Sequence, residues 1–178
     1  MVAFVIDFLS VATLASNVVF LILFLIFLYY RFTNKSPWGR IVRYLKPRAI
    51  SLSLFFALVA TLGSLFLSEV AKYSPCLLCW YQRIFMYPLV FVLGTALFKK
   101  TRDVASYVLP LSMVGGLLAA FHYWGQVTYN PFTSCAAIGF SVSCSERFFT
   151  HFGYITIPFM AFSAFVYITS LMIIFKKK

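Results

Sequence analysis

The chain has 178 residues, of which 62% are hydrophobic, 20% aromatic and only 11% charged, with a formal net charge of +11. That balance lies far from the average of soluble domains, so lipid is the expected solvent for most of a chain whose length suits one compact unit. So many basic residues would suit a nucleic-acid partner in a soluble protein. Here they fall in short clusters between apolar stretches, with no glycine-rich phosphate loop, zinc-finger spacing or internal repeat beside them.

A bilayer core of about 30 Å needs roughly 20 apolar residues in a helix that rises about 1.5 Å per residue. Five stretches meet that need, at 8–30, 49–68, 79–98, 104–124 and 154–175, so the expected fold is an all-α, polytopic membrane helical bundle. The first stretch has no basic leader and is followed by basic residues, which fits a retained helix better than a cleaved signal peptide. Ser16 and Asn17 within it are expected to make helix-packing contacts.

The linker after the first stretch carries Arg31, Lys35, Arg40, Arg43, Lys46 and Arg48 and no acid. Lys99, Lys100 and Arg102 follow the third stretch, and Lys176, Lys177 and Lys178 end the chain. Twelve of the fifteen basic residues thus share one side, which the positive-inside rule assigns to the cytoplasm, with the amino terminus outside and the carboxyl terminus inside. The charge is an orientation signal, and no nucleic-acid partner is expected. Pro88, Pro110 and Pro158 fall within spans, where neighbouring helices can satisfy the freed carbonyls. Gly115-Gly116 marks close helix packing.

With this topology all four cysteines lie outside or at the outer edge. Cys76 and Cys79 sit at the mouth of the third span, and Cys135 and Cys144 in the longer loop. An even number of cysteines confined to the oxidising side argues for disulfide chemistry, and four cysteines allow three pairings that sequence alone leaves open. For Cys135 and Cys144 a structural staple is as good a reading as a redox pair. A bond between Cys76 and Cys79 would close too small a loop to stabilise much, so that pair makes better sense as redox-active. A four-thiolate zinc site does not fit the eight-residue gap of the second pair, and no metal is expected.

Ser74 can cap a helix and Pro75 is preset for its first position, which puts Cys76 in the first turn. The helix dipole and free amides there favour a thiolate, the species that attacks disulfides and leaves from them. Helical spacing sets Cys76, Cys79 and Arg83 along one face, with Arg83 roughly 6 Å deeper than Cys79. An arginine at that depth is a functional candidate. It can lower the pKa of Cys79 and donate to a quinone oxygen that gains negative charge on reduction, with Gln82 as a neutral donor. His122, Trp124 and Gln126 end the fourth span where they could line a quinone pocket, His122 being the best of them. Trp124 and Tyr123 suit an interfacial belt better, and His151 an interfacial polar site.

The run Pro75-Cys76-Leu77-Leu78-Cys79-Trp80-Tyr81-Gln82-Arg83-Ile84, followed by Met86-Tyr87-Pro88, closely resembles the signature of the DsbB and BdbC family of membrane disulfide oxidoreductases. The resemblance covers the last four spans and both outside loops. It implies a four-helix oxidoreductase domain over 49–178, with 1–48 an extra amino-terminal transmembrane helix and basic cytoplasmic loop about which the family says nothing. It further implies a bacterial cytoplasmic membrane protein that reoxidises a soluble extracytoplasmic thioredoxin-like partner of the DsbA or BdbD kind and passes the electrons to a membrane quinone, ubiquinone or menaquinone. Cys135 or Cys144 would exchange with the partner, Cys135 being favoured for the mixed disulfide. Electrons would pass on to Cys76 and Cys79, with Cys79 the thiolate beside the quinone and Arg83 assisting. The short gap in the second pair resembles the compact loop of Gram-positive members.

Two other readings compete. A vitamin K epoxide reductase-like protein also couples four outside cysteines to quinone, but there the loop pair typically precedes the CxxC, and here the CxxC comes first. A non-catalytic scaffold stapled by two exterior disulfides would tolerate Cys79→Ser and show no quinone-dependent thiol oxidation.

Overall fold

A computed structural model describes residues 2–33, 38–101, 103–128, 144–145 and 147–176. The described residues form helices α1 (Val2–Thr33), α2 (Trp38–Leu45), α3 (Ala49–Leu65), α4 (Leu77–Lys99), α5 (Val104–Thr128) and α6 (Ile157–Lys176), and no strand. Five segments are long and apolar enough to cross a membrane: Val2–Thr33, Trp38–Val70, Leu77–Lys99, Val104–Thr128 and Ile157–Lys176. The second of these joins α2 to α3 through a 3₁₀ turn at Lys46–Arg48, with Pro47 near its start. In α2, Trp38, Ile41, Val42 and Leu45 recur at helical spacing opposite Arg40 and Arg43, which makes an amphipathic piece at the basic end.

Helices α3 to α6 pack around one core. Leu89, Leu93, Val108, Phe165, Ile168 and Met172 are its large fully buried side chains. Since lipid tails are as apolar as leucine, these helices gain by close packing and not by leaving water. Gly115 shows how close: a Cβ there would stand 2.4 Å from the Phe165 ring. The expected role of the glycine pair therefore belongs to Gly115, because at Gly116 the nearest atom would be 3.4 Å away. Helix α1 lies outside the core, apolar on all sides and mostly exposed. Tyr167 of α6 anchors it, donating to Ser16 Oγ (3.3 Å) and to Asn17 Oδ1 and packing on Phe20 at 5.3 Å. These are the packing contacts expected of Ser16 and Asn17.

Several boundaries differ from the sequence reading, among them the start of α4 at Leu77 and the end of α5 at Thr128. Helix α1 starts at Val2 and not at residue 8. Helix α6 starts at Ile157 and not at 154, because Phe152 and Gly153 turn through positive φ and an isolated bridge ties His151 to Ile155. Pro158 is thus the second residue of α6, where a missing N–H costs nothing. Helix α3 continues into a π-helical turn, Phe66–Val70, before Lys72 reverses the chain at φ 59°.

Candidate functional site

Helix α4 begins at Leu77, so Cys76 is its N-cap residue and not a member of the first turn, and Ser74 does not cap. Cys76 is extended (φ −73°, ψ 172°), and its carbonyl accepts the first helical bond from the Trp80 N–H at 3.1 Å. Tertiary packing overrides the local preference for Ser74: Cys76 and Cys144 are buried together with Leu78, and Leu77 and Cys79 pack against them. One member of the second cysteine pair thus sits directly on the first. Cys135 lies outside the described residues. Cys144 is disulfide-bonded, whereas Cys76 and Cys79 are free.

The two free sulfurs are 3.3 Å apart, within reach of an S–H···S hydrogen bond. His122 Nε2 lies 3.6 Å from Cys76 Sγ and 3.0 Å from the Cys144 carbonyl oxygen. A carbonyl can only accept, so Nε2 carries a proton; in the neutral ring Nδ1 is then the acceptor for the Gln82 amide at 2.9 Å. His122 is a buried bridge that joins α5, α4 and the Cys144 loop. The Cys76 thiol is drawn down from 9.0 to about 4, chiefly because the Cys79 thiol can donate to its sulfur, with help from His122 and against the opposing effect of burial. Arg147 secures the same loop by donating from Nε to the Gln126 carbonyl at 3.1 Å.

Cys79 faces elsewhere. It borders a cavity of about 310 Å³ shared by α1, α3, α4 and α6, together with Gln82, Arg83, Ser64 and Tyr87. Cys79 and Arg83 are therefore brought to one place as the helical spacing implied, with Gln82 beside them. Cys76 is turned off that face, and His122 stands behind Cys76, outside the cavity lining. Arg83 donates from Nε to Ser64 Oγ and from Nη2 to the Ser64 carbonyl, both at 3.0 Å, and its guanidinium carbon lies 5.2 Å from the Trp80 ring centroid. Among the described residues no carboxylate pairs with it, and Nη1 has no hydrogen-bond partner.

Ser64, Tyr87 and the cavity-facing residues of α1 were not legible as site residues, since nothing local marks a serine 19 positions from its arginine. Trp124 is half exposed, as a belt residue would be, Tyr123 packs on Phe159, and Gln126 meets Arg147 through its carbonyl. His151 lies 3.7 Å from Asp7, which ties the loop before α6 to the start of α1.

Cys76, Cys79 and His122 place their ligand atoms within 4.8 Å of one another, a spacing a metal ion could use. The same three groups form a thiolate-stabilising network beside an already formed disulfide, which is the arrangement that thiol exchange requires.

A polytopic helical bundle with an activated dithiol at a helix mouth, packed on a second, disulfide-bonded cysteine, defines the class of membrane thiol–disulfide oxidoreductases. The comparisons agree: the family described as "Disulfide bond formation protein DsbB" matches residues 46–175, and the chain belongs to that family. The chain is 43% identical to the disulfide bond formation protein C of Bacillus subtilis (strain 168), over 74% of this chain and 96% of that protein. It is 46% identical to the probable disulfide formation protein C 1 of Bacillus anthracis, over 61% of this chain and 77% of that one. A probable disulfide formation protein of Coxiella burnetii (strain Dugway 5J108-111) is 40% identical over 68% of this chain and 83% of its own length. No solved structure matches the chain.

Proposed function

We propose that this protein is a thiol:quinone oxidoreductase of a bacterial cytoplasmic membrane, which reoxidises a secreted thioredoxin-like thiol oxidase and delivers the electrons to a membrane quinone. The observation that carries the reading is Arg83: a cation without a carboxylate partner among the described residues, in an apolar cavity that also exposes Cys79. An arginine half-buried at membrane depth is costly unless something answers its charge. An acceptor that gains negative charge would do so, and the open Nη1 is the donor available to it. Arg83, Gln82 and Tyr87 would hold the head of such a group, ubiquinone or menaquinone, with Cys79 beside it. Bound there, a quinone supplies an acceptor for two electrons and two protons.

The chain's own residues supply the rest. The loop pair, Cys135 and Cys144, exchanges with the partner: the partner's dithiol becomes a disulfide and the loop pair becomes a dithiol. A loop thiolate then attacks the oxidised Cys76–Cys79 pair at the Cys76 sulfur, and Cys79 leaves as the thiolate that borders the cavity. The second loop thiolate attacks its loop partner in that mixed disulfide, which re-forms the loop disulfide and releases Cys76 as the thiolate that Cys79 and His122 stabilise. His122 holds that leaving sulfur and the Cys144 backbone in register. Closure of the Cys76–Cys79 disulfide releases two electrons and two protons on the cavity side. The cysteine end of the bundle faces outward, and the basic end, with the carboxyl terminus, faces the cytoplasm.

The test is quinone reduction, followed by absorbance, with purified protein and a reduced thioredoxin-like substrate. Cys79→Ser should show no turnover. Arg83→Ala should raise the KM for quinone about tenfold or more, as expected for losing a hydrogen bond from a charged donor, worth about 1.5–3 kcal/mol. Wild-type rates in Cys79→Ser would end the reading and favour a scaffold.

A further inference from the structure

The family match begins at residue 46, so α1 lies outside what the family shares, yet α1 closes one side of the cavity. Phe8, Leu9, Ala12, Thr13 and Ser16 all border it, and the last four, at spacings of three, four and seven residues, share one helical face. That face is shaped for a neighbour. Three of the five bordering side chains are small, with Phe8 and Leu9 the bulky ones, whereas Val11, Val18, Val19 and Ile22, which do not border the cavity, are all bulky and exposed. Its hydroxyls are also occupied: Thr13 donates to the Leu9 carbonyl at 2.8 Å and Ser16 to the Thr13 carbonyl at 2.9 Å. The wall therefore offers contact without a free hydrogen-bond donor.

The cavity is elongated along the helices. It runs from Cys79 at the mouth of α4 to Tyr167, ten residues into α6, a depth of about 15 Å at 1.5 Å per residue. Its polar groups near the mouth are Arg83, Gln82 and Ser64, while Phe55, Phe56, Ala164 and the α1 face line the deeper part. Leu9 keys α1 onto α3 at Gly63, where an added Cβ would stand 3.5 Å from the leucine methyl.

We infer that α1 is a fifth wall of the acceptor site, and that Ala12, Thr13 and Ser16 form the binding face for the apolar tail of the quinone. The inference rests on the proposed quinone-linked function and deepens it. The polar mouth takes the ring; the deeper part beside α1, where the Tyr167 hydroxyl is engaged by Ser16, Asn17 and Ser163, takes the first stretch of the tail. Selectivity for tailed over tail-less acceptors then resides in a helix that the rest of the family match does not include.

The experiment uses the full chain in detergent micelles. Ala12→Trp and the milder Ser16→Leu fill the wall; Val11→Trp adds the same bulk on the lipid side. Quinone retained per protein after gel filtration, extracted and quantified, is measured as a binding curve for a long-tailed quinone and a tail-less analogue, alongside KM for each. Ala12→Trp and Ser16→Leu should weaken binding of the tailed quinone about tenfold and change that of the analogue less than about twofold, with Val11→Trp like wild type. Equal loss for both acceptors, or no difference between Ala12→Trp and Val11→Trp, would overturn the inference. If wild-type protein binds and reduces neither acceptor, it is the quinone-linked function that fails. Displacement of the bound quinone by added phospholipid with equal effect on all variants would show the wall to be an ordinary lipid contact.

Discussion

Cys76 caps α4 where its sulfur meets the Cys79 backbone amide, a second thiol and an imidazole together. Burial alone would raise its pKa; donation from Cys79 and His122 outweighs burial and brings it to about 4. In the reduced protein, alkylation of Cys76 should therefore stay at its thiolate plateau from pH 9 down to about pH 5 and fall off only near 4, as read by site-resolved mass spectrometry of the wild type, and Cys79→Ala, which removes the main donor, should move the midpoint upward. The sign for stability follows. A depressed thiol pKa contributes stability fully above the unfolded value near 9.0 and loses it as pH falls through about 4, so the reduced form should weaken in acid more than Cys76→Ser does. His122→Leu removes one donor and should move the alkylation midpoint upward while leaving the helices folded. The sequence marked the cysteines, Arg83, Gln82 and His122, because their chemistry is visible in residue type and spacing. It set His122 beside an acceptor, whereas the ring bonds to Gln82 and the Cys144 carbonyl, a choice made by tertiary packing that spacing on one helix cannot express.

At the level of the elements, hydropathy found all five spans but misplaced their ends. The start of α6 was set by a left-handed turn at Phe152 and Gly153, and that of α4 by the packing of Cys76 against Cys144; neither alters hydropathy. The π-helical turn that ends the α3 segment was also invisible, although it delivers Leu67 and Ser68 to the cavity edge. Helix packing was more legible, because small residues inside an apolar stretch have few other uses. Gly115 faces the fully buried ring of Phe165, which would have to shift to admit a Cβ that stands 2.4 Å from it. Gly115→Ala should consequently destabilise the bundle by about 1–3 kcal/mol, the usual cost of overpacking, while Gly116→Ala costs less. Thermal unfolding in one detergent compares the two, and an equal midpoint for both would show that α5 and α6 can separate at this point.

The two ends of the whole molecule differ in charge. Among the described residues, Lys72, Arg83 and Arg147 are the basic residues toward the cysteine end, where the acids Asp7 and Glu69 offset them, while Arg31, Arg40, Arg43, Lys46, Arg48, Lys99, Lys100 and Lys176 stand at the other end against Asp103 alone. Such an asymmetry fixes which end is retained during insertion, because short basic linkers resist translocation and acids count for little. The proposed function asks for the same arrangement, since a disulfide beside Cys76 persists on the oxidising side. Helix α1 lies ahead of the family match at 46–175, and a span placed there changes the side of the amino terminus without moving the cysteine end. A green fluorescent protein fused after Lys178 should fluoresce, and alkaline phosphatase fused there or after Lys100 should be inactive. Alkaline phosphatase inserted between Lys72 and Ser74 should be active, on the same side as the cysteines. An active phosphatase at the carboxyl end would place Cys76 in the reducing cytoplasm, where neither the resident disulfide nor a secreted partner could meet it.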